Sequence, residues 1–236
     1  MSGHSKWSTI KRAKGVADAK RSQVFTKLAK AISVAARDGA DPTMNSRLRL
    51  AIDKAREQSM PKENIERAIQ KGSGTGEGAK LEEVRYEGYG PGSVAFLIEA
   101  VTDNRNRTSS GIRHLLEKAG GRLGETGSVA WLFETKGILQ LPLPKNRDEL
   151  ELALIEAGAS DMREEGDNLI ITCNPHEFDT IKAELAKNNL AATYASIEPV
   201  AKTTVEVDES VADKLNEFRE VLDNDEDVTN FYDNAR

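Results

Sequence analysis

From Ala19 the apolar positions of this chain recur at helical spacing. Val24, Phe25, Leu28, Ile32 and Ala35, with Ala29 and Ala36 beside them, form one stripe, and Lys20, Arg21, Lys27 and Lys30 lie mostly off it. Gly39 supplies a C-terminal stop, and Asp41-Pro42-Thr43 reads as a turn. Thr43 or Asn45 can cap a second helix running to about Ser59, with Leu48, Leu50, Ile52 and Ala55 on its apolar faces. Pro61 suits the first turn of a third helix, Lys62–Lys71, stopped by Gly72. Short turns join the three, which predicts a helical domain over 19–71.

Past the Gly-rich run 72–78 the period changes from helical to alternating. Residues 84–89 and 94–101 read as strands around a Gly90-Pro91-Gly92 turn. Thr108 or Ser109 can cap a helix carrying Ile112, Leu115 and Leu116 and ended by Gly120-Gly121, and Ser128–Glu134 alternates as a strand through Val129, Trp131 and Phe133. Between 136 and 199 the order is strand (137–143), helix (147–157), strand (160–164), strand (168–173), helix after Pro175, strand (191–197). That is a split β-α-β-β-α-β pattern. A strand at 203–207, a helix at 209–222 and a strand at 228–232 cannot make a core alone, but complete the β-β-α-β of 81–134. The predicted fold class is therefore α+β: an N-terminal helical domain followed by two ferredoxin-like domains, one inserted into the other. The boundaries are a basic arm (1–18), the helical domain (19–71), a linker (72–78), a discontinuous domain (79–134 plus 200–236) and an inserted domain (135–199).

Charge changes this picture from architecture to partner. The first 37 residues hold nine cations (Lys6, Lys11, Arg12, Lys14, Lys20, Arg21, Lys27, Lys30, Arg37) and a single acid, Asp18, a net of about +8. The whole chain of 236 residues is at −6, so the rest carries about −14. Solubility does not require such segregation; a polyanion partner, above all nucleic acid, does. Residues 1–18 read as an arm that orders on its partner. No apolar run reaches the roughly 20 residues that span a bilayer, the N-terminus lacks the apolar region of a secretory signal, and one cysteine, Cys173, excludes an internal disulfide framework. A cytoplasmic protein is the expectation.

Candidate chemistry is sparse. Arg105 and Arg107 lie in the loop Thr102-Asp-Asn-Arg-Asn-Arg-Thr108 ahead of a helix. They could hold phosphate oxygens there, or the loop is a polar, Asn-capped turn; both readings stand. Trp7 within the arm could stack on an unpaired base or staple the arm to the helical domain. The linker Gly-Ser-Gly-Thr-Gly-Glu-Gly lacks the Gly-Lys-Ser/Thr ending of a phosphate loop. Asp223, Asp225 and Asp227 imitate the start of a calcium loop, but Val228 stands where Gly is needed and Asn234 where Glu is needed. His4, His114 and His176 share no metal-ligand spacing. No hydrolase, metalloprotease or nucleotide-binding signature appears, so the expectation is a protein that is not an enzyme and takes no cofactor or metal. The residues nominated for nucleic acid are Lys6, Trp7, Lys11, Arg12, Lys14, Lys20, Arg21, Lys27, Lys30, Arg105 and Arg107.

The opening Ser2-Gly-His-Ser-Lys-Trp7 followed by Ile10-Lys11 resembles the YebC/PmpR family. Met60-Pro-Lys-Glu-Asn-Ile65 with Arg67-Ala-Ile69, Tyr86-Glu-Gly-Tyr-Gly-Pro-Gly92, the Thr102–Thr108 loop and Gly127-Ser-Val129 agree with it, and only Gly92-Ser93 departs, where members commonly read Gly-Gly. The resemblance implies three domains and a cytoplasmic, DNA-binding regulator of transcription. For mitochondrial relatives it implies translational activators, and for some bacterial members a ribosome-associated factor binding ribosomal RNA and relieving stalling on proline-rich sequences; each role needs a polyanion-binding surface, so the charge supports both equally.

Overall fold

The computed structural model describes residues 18–74, 81–144 and 147–236, the side chains of 18–21 and 147–149 excepted. The arm and most of the Gly-rich linker lie outside these residues. The fold is α+β, with N-terminal helices and two sheet-containing domains. One compact unit gathers 18–74, 81–130 and 205–235, and the other 131–144 and 147–204.

Three helices open the chain: α1 (Asp18–Ala35), α2 (Ser46–Glu57) and α3 (Lys62–Gly72). One side chain joins the first two. The Asn45 Oδ1 accepts from the Leu48 N–H at 3.0 Å, capping α2, while its Nδ2 donates to the Ala35 and Gly39 carbonyls at 2.7 and 2.8 Å. Thr43, the other candidate cap, bonds Asp41 instead. Ile32, Leu48, Ile52, Ala55, Met60, Ile65 and Ala68 form the helical core. At the end of α3 a Cβ on Gly72 would stand 2.0 Å from the Ser33 carbonyl oxygen, so only glycine lets α3 approach α1 this closely.

The same unit holds a four-stranded antiparallel sheet in the order β3-β1-β2-β8, made of β1 (Glu82–Tyr89), β2 (Ala95–Thr102), β3 (Arg122–Leu123) and β8 (Val228–Asp233). Phe96 and Ile98 of β2 meet Ile112 and Leu116 of α4 (Arg105–Lys118) and Phe218 and Leu222 of α7 (Glu209–Asn224) in one core. Phe96 and Phe218 stack edge to face at 4.9 Å. Arg219 of α7 grips Asp233 of β8 through two bonds of 2.8 and 2.7 Å, a nearly buried pair that ties the last helix to the last strand.

Glu87 explains why two of the family strings belong together. Its carboxylate is only 4% exposed and accepts three backbone N–H groups, from Gly127, Val129 and Ala130, each at 2.7 Å. Burial alone would raise its pKa; the three N–H bonds outweigh burial and the pKa is lowered. This also corrects the strand expected at Ser128–Glu134. The N–H groups of Val129 and Ala130 are spent on Glu87, a short 3-10 turn occupies Ala130–Leu132, and the strand starts only at Phe133. The strand expected at 203–207 likewise reduces to one bridge, Val205 with Ala235, beside the chain end.

The second unit is an antiparallel sheet in the order β5-β6-β4-β7, from β4 (Phe133–Pro142), β5 (Ala159–Glu165), β6 (Asn168–Cys173) and β7 (Tyr194–Ala201). Helices α5 (Arg147–Glu156) and α6 (Phe178–Lys187) close its core around Leu139, Leu154, Ile171 and Ile181. Pro199 sits on β7 at the sheet edge, where a missing N–H costs no ladder bond.

Two outcomes test this account. Ser93 has φ of 59°, left-handed, in the turn between β1 and β2; Ser93→Gly should raise stability by about 1 kcal/mol in urea unfolding. Glu87 contributes stability above its unfolded pKa of about 4.3, and that contribution is lost as pH falls through its lower folded pKa. Glu87→Gln should therefore be less stable at neutral pH and show a shallower acid-side fall in melting temperature than the parent.

Candidate nucleic-acid interface

The nominated residues fall into three groups. Lys6, Trp7, Lys11, Arg12 and Lys14 lie outside the described residues, and Lys20 and Arg21 are placed only as backbone on the first turn of α1. Lys27 and Lys30 are described fully, and they face the protein. The Lys27 ammonium donates to the Asp223 carbonyl and lies 3.7 Å from its carboxylate. Lys30 donates to the Glu226 carbonyl and to Asp227 Oδ1, both at 2.7 Å. Burial lowers the Lys27 pKa, with Asp223 and Asp225 opposing the shift. Both cations, placed by the helical period on the polar side of α1, are thus engaged with the chain's own acidic segment as the protein stands.

Arg105 and Arg107 behave differently from each other. Asn104 caps α4, its side chain accepting from the Arg107 N–H at 3.1 Å, so the helix begins at Arg105 and not after Thr108. Both arginines are then in the first turn of the helix. Arg107 donates to Asp103 at 2.8 Å and to Asp227 Oδ2 at 3.1 Å, which hold the guanidinium firmly charged. Arg105 is exposed, 3.9 Å from Glu82.

Asp227 is where these threads meet. Lys30 fills Oδ1, while Arg107 and the buried Thr108 hydroxyl, the latter at 2.7 Å, fill Oδ2. Burial would raise its pKa; the bonds from Lys30, Thr108 and Arg107 overcome that and lower it. Its backbone carbonyl accepts from Val101 of β2 at 2.8 Å. The run read as a failed calcium loop is an anchor for cations of this same chain. Among the described residues no cluster of His, Cys, Asp and Glu is arranged to hold a metal ion.

The outward-facing surface of α2 and α3 is close to neutral, with Glu57, Glu63 and Glu66 exposed among its cations. Arg49, Lys54 and Arg56 on α2, and Lys62, Arg67 and Lys71 on α3, are exposed. Residues 1–74 carry sixteen Lys and Arg against seven Asp and Glu, while 75–236 carry seventeen against thirty-two. The excess of cations sits in the arm and α1: residues 38–74 carry seven Lys and Arg against six Asp and Glu. Arg56 pairs with Asp53 and Lys62 with Glu66.

A model of the N-terminal domain of TACO1/YebC proteins matches residues 5–75, and one of the second and third domains matches residues 81–235. The chain belongs to the TACO1/YebC family. It is 46% identical over 238 residues to a protein of Desulforamulus reducens called a probable transcriptional regulatory protein, covering 99% of this chain and 98% of that one. A protein of Citrifermentans bemidjiense with the same name is 47% identical over 235 residues, 99% of this chain and 95% of the relative. The crystal structure of a conserved hypothetical protein from Aquifex aeolicus superposes with a TM-score of 0.82 at 42% identity, over 93% of this chain and 91% of that one. In this TACO1/YebC chain the Thr102–Thr108 string supplies the N-cap, Arg107 and Thr108 that hold Asp227, a structural use for a stretch that sequence left open between turn and anion site.

Asp227→Asn should cost about 1–3 kcal/mol in urea unfolding, because the buried Thr108 hydroxyl, the half-buried Lys30 and the exposed Arg107 all lose a charged acceptor. Arg105→Ala, on an exposed arginine, should change stability by less than about 0.5 kcal/mol.

Proposed function

We propose that this TACO1/YebC protein is a nucleic-acid-binding regulator of gene expression that works without catalysis, in the cytoplasm. It holds the phosphate backbone through its basic N-terminal arm and first helix. The observation that carries this reading is the segregation of charge along the chain, sixteen cations against seven acids in 1–74 and the reverse excess beyond. A polyanion is drawn to one end of such a molecule and turned away from the other. The relatives' shared name, probable transcriptional regulatory protein, favours DNA as the partner.

Lys6, Lys11, Arg12, Lys14, Lys20 and Arg21 are the proposed phosphate contacts, with Trp7 stacking on a base and Arg105 adding a contact at the start of α4. Lys27, Lys30 and Arg107 join them only when freed from their carboxylates. Such contacts position the protein without reading sequence. The antiparallel order β5-β6-β4-β7, with one helix after β4 and another after β6, supports reading the second sheet domain as ferredoxin-like and inserted in the first; for the first sheet domain the support is coarser, a four-stranded antiparallel sheet with two helices.

If about four cations of the arm reach phosphates, binding to a duplex should weaken with a log–log salt slope of about −3.6. Replacing Lys6, Lys11, Arg12 and Lys14 by Ala should flatten the slope by about that amount, leaving only the share of Lys20, Arg21 and Arg105, and leave the melting temperature unchanged. An unchanged slope would remove the arm from the interface. In low-salt gradients of cell lysate, parent protein that sediments with ribosomes while the variant stays at the top would make ribosomal RNA the polyanion instead of DNA.

A further inference from the structure

Charged contacts join the helical domain to the first sheet domain beside buried apolar residues, Val34 of α1 and Leu97 and Val101 of β2, and the charges run one way. Lys27 meets Asp223, Lys30 meets Asp227 and the Glu226 carbonyl, Arg37 donates to the Leu81 carbonyl at 3.0 Å, and Arg47 pairs with Glu83. The helical side supplies the cations in all four, the sheet side the oxygens. The apolar cores of the two domains share no residue: one is built around Ile32 and Leu48, the other around Phe96 and Phe218. A solvent-open cavity of about 320 Å³ lies in the joint, lined by Val34, Arg37, Asp38, Arg47 and Glu83. Water and counter-ions therefore reach part of it, and ion pairs so placed are weak and screened by salt.

Release of α1 leaves little behind it that is unsatisfied. Asp227 keeps Arg107 and Thr108 from its own domain when Lys30 departs. Lys27, whose charged form burial disfavours in the joint, regains water. Four of the five residues 223–227 are acidic, so this segment presents α1 with the same chemistry as a phosphodiester backbone: closely spaced anionic oxygens at hydrogen-bonding distance from Lys and Arg.

We propose that the joint is a polyanion-sensitive latch, in which nucleic-acid phosphates compete with Asp223, Asp227 and Glu83 for Lys27, Lys30 and Arg47 and release the helical domain from the sheet domain. The proposal rests on the nucleic-acid reading above and adds its regulation: the acidic segment is a built-in competitor that sets how tightly the basic domain binds. The chain then has a closed form, with its cations on its own carboxylates, and an open form, with those cations on phosphates.

The test uses the full chain carrying spin labels at Gln58→Cys and Glu117→Cys, exposed positions on the helical and sheet domains, the native Cys173 being buried. Pulsed EPR reads the distance between labels with no ligand, with increasing NaCl, with a random-sequence DNA duplex and with an RNA hairpin. The latch predicts that either nucleic acid, once bound, lengthens or broadens the distance, and that NaCl alone does so too. The variant Glu83→Gln, Asp223→Asn, at two partly exposed acids, should favour the open distance without ligand and bind the duplex roughly tenfold more tightly. Binding with an unchanged distance and unchanged variant affinity would overturn the latch and leave the nucleic-acid reading intact. A flat isotherm with both nucleic acids would overturn both, a failure visible in the binding data before any distance is read.

Discussion

A single carboxylate, that of Asp227, is placed so that three separated parts of the chain depend on it. It receives Lys30 from the first helix, Arg107 and Thr108 from the start of α4, and through its backbone carbonyl the N–H of Val101 on β2. A half-buried carboxylate with one donor would be a liability; with three its charge is held, and its folded pKa falls despite burial. That arrangement ties the helical domain to the first sheet, whose apolar core shares no residue with the helical one.

The same constraint shapes what the protein can do with its positive charge. Cations that hold the structure together are not free for phosphates at the same moment, so Lys27, Lys30, Arg37 and Arg47 are committed to the joint. The remaining twelve cations of 1–74 stand against seven acids, and that excess of five is carried by residues 1–21.

Much of the fold was legible in the chain before any coordinates. The stripe through Phe25, Leu28 and Ile32, the alternation through β1 and β2, and the two helices among the strands after 136 each reflect a local period that burial enforces. Two boundaries failed because a side chain took backbone hydrogen bonds that the local pattern does not reveal. Glu87 captures the N–H groups of Val129 and Ala130 and so delays β4 until Phe133. Asn104 caps α4 ahead of Thr108, whose hydroxyl is drawn to Asp227 instead. Of the candidate interface, the overall basic character was readable, but the fate of each lysine was not.

By itself, the sequence determined most of the helices and strands, which segment is basic, and which family the strings at 2–11, 60–69, 86–92, 102–108 and 127–129 belong to. These are properties of composition and of short periods, carried by residues close together in the chain. Only the tertiary structure decided that Lys27 and Lys30 face Asp223 and Asp227, nearly 200 residues away, and that a carboxylate in one string folds up the backbone of another. A lysine on the polar face of a helix looks the same in sequence whether solvent, phosphate or a distant aspartate receives it. Coulombic partners are chosen by proximity in space, and proximity is what the packed chain supplies.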